Sequence, residues 1–378
     1  MAEREGAASG DGRDVAWMKA LRLYGARDLR LEEVERPERT KDEVLLEVKA
    51  SGISMSDVKS VYEMGAPEGN VPQILGHEFA GRIVEAEDVA LVGRAAAAYP
   101  MLFCGRCMAC LDGRPRDCGE MQLYGAGRAG GMAEFVAVKK QNLVFLPPDV
   151  SFRAAALTGA AAVALHAFRK TGVGPGSTLV VFGLGSIGLA LASWAREADV
   201  RNVVLVARTM EKAAFARSLG FLQSVDIEGS DVYNYVMRLT GGRGADACIE
   251  GLGESGALET ALLSVKRGGR VVVMGRPEKS MEVTGLMYDL LLQKEVELHG
   301  AWKSSLNTRP AEWLDAMNAM RSHAVDAEAL VTHTFPFEKY EEAFALLSCV
   351  EPVGGGASQV EDASPTMERA VEQVQDGA

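Results

Sequence analysis

The sequence predicts an α/β protein in two parts. A β-rich domain occupies residues 18–152, a doubly wound parallel sheet occupies 153–299, and residues 300–350 return to complete the first part. Three observations predict it. Short apolar runs such as EVLLEVKASGI and FAGRIVEA, broken by Gly, Pro and Asp, fill the first part. Strand-like and helix-like patterns alternate from about residue 152. A glycine-rich turn then follows the apolar run STLVVFG.

The length of 378 residues suits two cores, and 48% hydrophobic with 24% charged residues is ordinary for globular domains. A net charge of −12 argues against a nucleic-acid partner, because neutralising phosphates requires clustered Lys and Arg. No uncharged apolar run reaches the roughly 18–20 residues of a membrane helix. The opening MAEREGAASGDGRD lacks the basic start and apolar stretch of a signal peptide. The expectation is a cytoplasmic protein acting on a small molecule, away from membrane and nucleic acid. Residues 1–17 read as a disordered extension, with Met18 a second candidate start of translation. Residues 351–378 read as a flexible tail carrying a short helix near 366–375.

In chain order, MKALRLYG opens the first strand at Met18, and EVLLEVKASGI and FAGRIVEA supply further strands. FRAAALTGAAAVALHAFRK has helical pattern, and STLVVFG is a buried strand. Helix IGLALASWAREA, strand NVVLVA and helix TMEKAAFARSLG follow, with later strands at DACIEG and GRVVVMG. After residue 300 come a helix (PAEWLDAMNAMRSH), a strand (LVTHTFPF) and a last helix (KYEEAFALLSCV).

Residues 179–188 read LVVFGLGSIG, so Gly183, Gly185 and Gly188 form G-x-G-x-x-G between a strand and a helix. The first glycine allows the tight turn, the second the approach of a pyrophosphate, and the third close packing of helix on strand. With Ser186 and Ile187 they head a helix whose N-terminus favours phosphate. An acidic residue at the end of the second strand would hydrogen-bond the adenosine ribose. That strand ends at Ala207 and is followed by Arg208, Thr209 and Lys212. Cations without a carboxylate favour a 2′-phosphate, so the expected cofactor is NADP(H).

Six cysteines are present, and Cys104, Cys107, Cys110 and Cys118 fall in CGRCMACLDGRPRDC. Such crowding suggests metal before disulfide in a reducing compartment. Four thiolates on short spacings make a closed structural zinc site, with an iron–sulfur cluster as the rival. Cys248 and Cys349 lie in apolar surroundings and read as buried core thiols.

Taken together, GISMSD (52–57), LGHEF (75–79), the four-cysteine lobe, YGAGRAGGMAEF (124–135), VALHAF (163–168) and the glycine turn resemble the zinc-containing alcohol dehydrogenase family. This belongs to the medium-chain dehydrogenase/reductase superfamily, and the likeness is strongest to the polyol branch, over residues 18–350. The resemblance implies a GroES-like catalytic domain, a Rossmann cofactor domain, NADP(H)-linked oxidoreduction and a homodimer. It also implies a catalytic zinc held by Cys, His and Glu. Here Ser54 stands at the Cys position and Gly159 at the Glu position, leaving His77 followed by Glu78. Two of three ligands are gone, so one structural zinc per chain and no catalytic zinc are expected.

Ser54, Ser56, His77 and Glu78 then remain as the catalytic candidates. Ser56 matches the family's hydroxyl that bonds the substrate oxygen, and His77 can donate a hydrogen bond or proton. An enolate spreads its charge and needs a Lewis acid less than an alkoxide does. The resemblance, with the ligands lost, therefore implies NADPH-dependent reduction of a C=C conjugated to a ketone, as in zinc-free relatives of the superfamily, and the polyol branch implies a hydroxylated cyclic, sugar-like or cyclitol-like compound, phosphorylated or not, in biosynthesis. Two alternatives stand beside it: a polyol or alcohol dehydrogenase, and a non-catalytic NADPH-binding protein. Lys303 and Arg128 are candidates for a substrate phosphate, against the simpler reading of solvated cations.

Overall fold

A computed structural model of the chain describes residues 16–67, 69–227, 231–277, 279–306, 311–348 and 369–372. The chain divides into two compact units. The first runs to Leu146 and resumes at Thr334, and the second spans Pro147 to His333. The sequence expectation for residues 1–15 and for most of 351–378 lies outside the described residues, as does Cys349, whereas Trp17, expected in the disordered extension, opens the first strand. Within the expected 366–375 helix, residues Arg369–Glu372 form a strand instead. It pairs with the strand Glu43–Ile53, so a sheet ladder takes up its backbone groups.

The first unit is built from eleven short strands among its described residues up to Leu146. Strands β1 (Trp17–Gly25) and β2 (Asp28–Glu35) form a hairpin. The long β3 (Glu43–Ile53) is buried almost throughout. The two-residue β4 (Gln73–Ile74) pairs with β1, and β5 (Phe79–Ala86) and β6 (Ala95–Ala98) extend the main sheet. Strands β7 (Met101–Leu102), β8 (Gln122–Tyr124) and β9 (Gly127–Arg128) bracket the cysteine lobe. Strands β10 (Phe135–Lys139) and β11 (Leu143–Phe145) complete the main sheet, in the order β10-β3-β5-β6-β11. Alternating residues Val44, Leu46 and Val48 meet Phe79, Ile83 and Ala96 in one core. Gly81 is needed in β5, because a Cβ there would lie 2.0 Å from the Glu47 carbonyl oxygen. A second core joins Leu21, Leu23, Ile53 and Val58 to Phe337 and Phe344 of the returning segment. That core seats the short helix Met55–Lys59 directly after β3.

The second unit holds a six-stranded sheet, parallel throughout. Its strands are β12 (Thr178–Phe182), β13 (Asn202–Ala207), β14 (Ser224–Asp226), β15 (Ala245–Glu250), β16 (Val265–Val273) and β17 (Glu297–Gly300). Their order is β14-β13-β12-β15-β16-β17, which is the doubly wound Rossmann arrangement. β12 is buried at every residue, as expected for a central parallel strand covered on both faces. Strands are added to one side of β12 up to β14 and to its other side from β15, so the ligand crevice of such a sheet opens at the carboxyl ends of β12 and β15.

Two expectations change. The second unit reaches His333, whereas the sequence suggested a return to the first at 300. The cause is the helix Glu312–Arg321, which is tied to the helix Thr158–Thr171. His166 meets Glu312 at 3.1 Å and Arg169 meets Asp315 at 2.7 Å. The strand expected at LVTHTFPF is absent, and residues 331–336 are irregular. Pro336 has no N–H to give a ladder, and the segment runs into a 3-10 turn at Phe337–Lys339.

Candidate active site and metal centre

The cysteine lobe is a metal centre in geometry. The ligand atoms of Cys104, Cys107, Cys110 and Cys118 all lie within 4.8 Å of one another. The Cys104 sulfur is 4.0 Å from that of Cys110 and 3.6 Å from that of Cys118. Tetrahedral zinc with bonds of about 2.3 Å requires sulfurs about 3.8 Å apart, so the four fit one ion. An iron–sulfur cluster shares its four thiolates among two or four irons and so spreads the set of sulfurs farther. Gly105 and Gly113 take φ of +71° and +73°, which turns the chain back on itself on either side of the short helix Met108–Leu111. Backbone N–H groups of Arg106 and Cys107 hold the Cys104 thiol down at about 7. Desolvation pushes the Cys110 thiol up to about 12. Cys248 is a buried free thiol in the second unit, and burial pushes its pKa up, as a core cysteine should behave.

A second constellation sits where β3 ends. Ser54 is the N-cap of Met55–Lys59 and forms a capping box with Asp57. Its backbone N–H and its hydroxyl both donate to Asp57 Oδ2, at 2.9 and 2.7 Å. The Ser54 hydroxyl also lies 2.7 Å from the hydroxyl of exposed Ser56. On the far side, His77 Nδ1 stands 3.6 Å from Asp57 Oδ1. Ser56, Ser54, Asp57 and His77 thus form one polar chain. Asp57 is only 4% exposed. Burial pushes its carboxyl up, but the charge of His77 and hydrogen bonds from His77 and Ser54 outweigh this and leave it below its ordinary value. Gly76 delivers His77 from a φ of +95°, and any Cβ there would strike the Met132 backbone nitrogen at 2.7 Å. Glu78 packs over Gly52, where a Cβ would meet Oε2 at 2.8 Å, and its carbonyl accepts the Gly52 N–H at 2.6 Å. The four catalytic candidates read from the sequence therefore lie together. Gly159, by contrast, is buried inside the helix Thr158–Thr171 and offers no donor. Among the described residues the four cysteines alone form a metal-capable group of three or more His, Cys, Asp or Glu.

In the second unit Gly183 adopts a φ of +105°. A Cβ on Gly188 would lie 2.0 Å from the Gly183 carbonyl oxygen, so helix and strand need both glycines. Gly185 caps the helix Ser186–Glu197 without any side-chain hydrogen bond, which leaves its first N–H groups to a phosphate. Ser186 is buried and Ile187 half-buried in that first turn. Thr209 caps the next helix, accepting from the Lys212 N–H at 3.4 Å, and Arg208 is exposed just after β13.

Several participants escaped the sequence. Arg208 Nη2 lies 2.5 Å from Glu254 Oε1, a residue from beyond β15. Glu250 is buried at the end of β15, accepts the N–H groups of Leu252 and Gly253 at 2.7 Å each, and is pushed up by burial. Glu312 is buried and held down to about 2: hydrogen bonds from His166 and Ser305 outweigh its desolvation. An acidic residue ending a buried strand, as in DACIEG, is the one local signal that could have marked Glu250. Of the two candidate phosphate-binding cations, Arg128 is committed to buried Glu43. Lys303 has a φ of +58°, lies 5.6 Å over the Trp302 ring, and is lowered in pKa by burial.

Comparison with known proteins defines the class. The alcohol dehydrogenase GroES-like domain family matches residues 40–148, and the zinc-binding dehydrogenase family matches 183–322. Sorbitol dehydrogenase of Bacillus subtilis (strain 168) is 31% identical over 334 residues, covering 86% of this chain and 92% of its own. The crystal structure of galactitol-1-phosphate dehydrogenase from Escherichia coli superposes with a TM-score of 0.83 at 26% identity, covering 95% of this chain and 100% of that one. A zinc-binding dehydrogenase structure from Sinorhizobium meliloti 1021, bound to NADP, gives 0.81 at 26% identity, with 94% and 99% covered. The chain is an oxidoreductase. It belongs to the zinc-type alcohol dehydrogenase family of medium-chain dehydrogenases/reductases, in its polyol branch. Among the described residues no helix is long and apolar enough to cross a membrane.

Proposed function

We propose that the protein interconverts a secondary alcohol and a ketone on a polyol-like small molecule, with NADP(H), one structural zinc and no catalytic zinc. The observation that carries this reading is the chain Ser56–Ser54–Asp57–His77 at the end of β3. Ser54 occupies the position of a metal ligand, yet its hydroxyl is spent on Asp57 and its neighbour Ser56. A neutral hydroxyl so engaged, with Gly159 silent, does not suit a zinc ion. The polyol and sugar-alcohol dehydrogenases among its relatives support alcohol–ketone chemistry over reduction of a conjugated C=C.

Bound NADP(H) supplies or accepts the hydride. Ser56 hydrogen-bonds the substrate oxygen and takes its proton during oxidation, passing its own proton to Ser54, which gives its own to Asp57 Oδ2. Asp57 fixes both the Ser54 hydroxyl and the His77 ring. The carboxylate is restored when Asp57 gives a proton to Nδ1 of the His77 ring, which releases one from Nε2 to solvent. Support for NADP(H) comes from Arg208 after a strand that ends in Ala207, and from the NADP bound to the Sinorhizobium relative.

Incubating the protein with NADP+ and a panel of linear and cyclic polyols, and with NADPH and saturated or conjugated ketones, tests the reading. Turnover of polyols and saturated ketones is expected. Turnover confined to conjugated ketones overturns it.

A further inference from the structure

The Arg208–Glu254 ion pair occupies an unusual place in the second unit. Strands β13 and β15 flank β12 on its two sides. β12 runs straight into the turn of Gly183, Gly185 and Gly188. Arg208 follows the carboxyl end of β13, and Glu254 follows the carboxyl end of β15, as the N-cap of the helix Ser255–Ser264. Strands two places apart in a sheet are separated by about 9.5 Å. The two side chains close that gap, Arg208 Nη2 to Glu254 Oε1 at 2.5 Å, and so bridge the carboxyl end of β12. This is the crevice in which a doubly wound sheet receives its dinucleotide.

We infer that Glu254 sets the cofactor preference as a displaceable counter-ion: it holds Arg208 across the crevice when the site is free and yields it to the 2′-phosphate of NADPH. The inference rests on the NADP(H) reading above. The side chains of Arg208 and Glu254 are 50% and 48% exposed. An ion pair so hydrated opens at little cost, which suits a latch and not a structural tie. A 2′-phosphate carries more negative charge than the carboxylate and binds a guanidinium equally well in bidentate fashion, so it displaces Glu254. NADH brings no such group and leaves the pair in place. Glu254 therefore reduces NADPH affinity by the fraction of time it occupies Arg208. The missing carboxylate at the end of β13 is in effect supplied from across the sheet, where it opposes the phosphate.

The test is direct titration of NADPH and NADH, by nicotinamide fluorescence, into the wild type, Glu254→Gln and Arg208→Gln. Glu254 makes no side-chain capping bond, so the amide leaves its helix intact, and a thermal melt checks this. Glu254→Gln is expected to tighten NADPH by about fivefold while NADH changes less than twofold. Arg208→Gln is expected to weaken NADPH by tenfold or more. Unchanged NADPH affinity in Glu254→Gln overturns the latch; if Arg208→Gln still loses NADPH, the NADP(H) reading survives it. Weaker NADH binding in Glu254→Gln makes the carboxylate a ribose ligand and also overturns the latch. Preferential NADH binding by the wild type, unaltered in Arg208→Gln, overturns both.

Discussion

The cysteine lobe and the end of β3 are two polar clusters on one unit, and they are held together by opposite means. In the lobe, four sulfurs lie within 4.8 Å of one another, an arrangement that could hold a metal ion. At the end of β3, the donors complete one another: Ser54 bonds Asp57, Asp57 meets His77, and Ser56 leans on Ser54. Four thiolates crowded together repel and need a cation. A buried carboxylate surrounded by a hydroxyl, an N–H and an imidazole is already satisfied. Removing a metal ligand from one and a hydrogen-bonding partner from the other should accordingly fail in different ways.

The largest effect is expected in the lobe. Cys118→Ser should empty it of zinc and cost on the order of 4–5 kcal/mol of stability, read by denaturant unfolding alongside metal content. Ser56→Ala should leave zinc content and stability alone but lower kcat/KM by roughly 10²–10³-fold, seen in steady-state kinetics. A fall in both would merge the two clusters into one structural role.

Asp57→Asn is expected to cost about 1–3 kcal/mol, because the buried chain loses its charged acceptor. Its pH dependence follows from the sign of the shift. The folded-state carboxyl of Asp57 lies below its ordinary value, so its contribution is complete above the unfolded pKa and disappears as pH falls through the lower folded one. Wild-type stability should decline below about pH 4 more steeply than that of Asp57→Asn, as urea midpoints across pH 2–6 would reveal. The smallest effect on stability belongs to Ser54→Ala, which removes a helix cap worth about 1 kcal/mol and should not change zinc content, although it breaks the proton relay from Ser56.

The parts legible in the sequence share one property: their signals are local. Cys104 to Cys118 lie within a single loop, and Gly183 to Gly188 within one turn, so spacing alone reported their chemistry. GISMSD and GHE exposed Ser54, Ser56, Asp57 and His77, with Asp57 read as orienting its neighbours, though not that its carboxylate reaches both Ser54 and His77. The hidden parts depend on distant pairing. Glu254 reaches Arg208 across 46 positions, and Glu312 reaches His166 across 146, separations at which residue pattern carries no register. The strand expected near 330 failed for a related reason, since an apolar run becomes a strand only where a neighbour offers a ladder.

The contrast between the two clusters reduces to a count of tightly held metal. The decisive measurement is zinc per chain, by elemental analysis of protein dialysed against a mild chelator and then resupplied with zinc. One zinc per chain, absent from Cys118→Ser and unchanged in His77→Ala, is the expected result. Two zinc ions per wild-type chain, with one lost in His77→Ala, would contradict it.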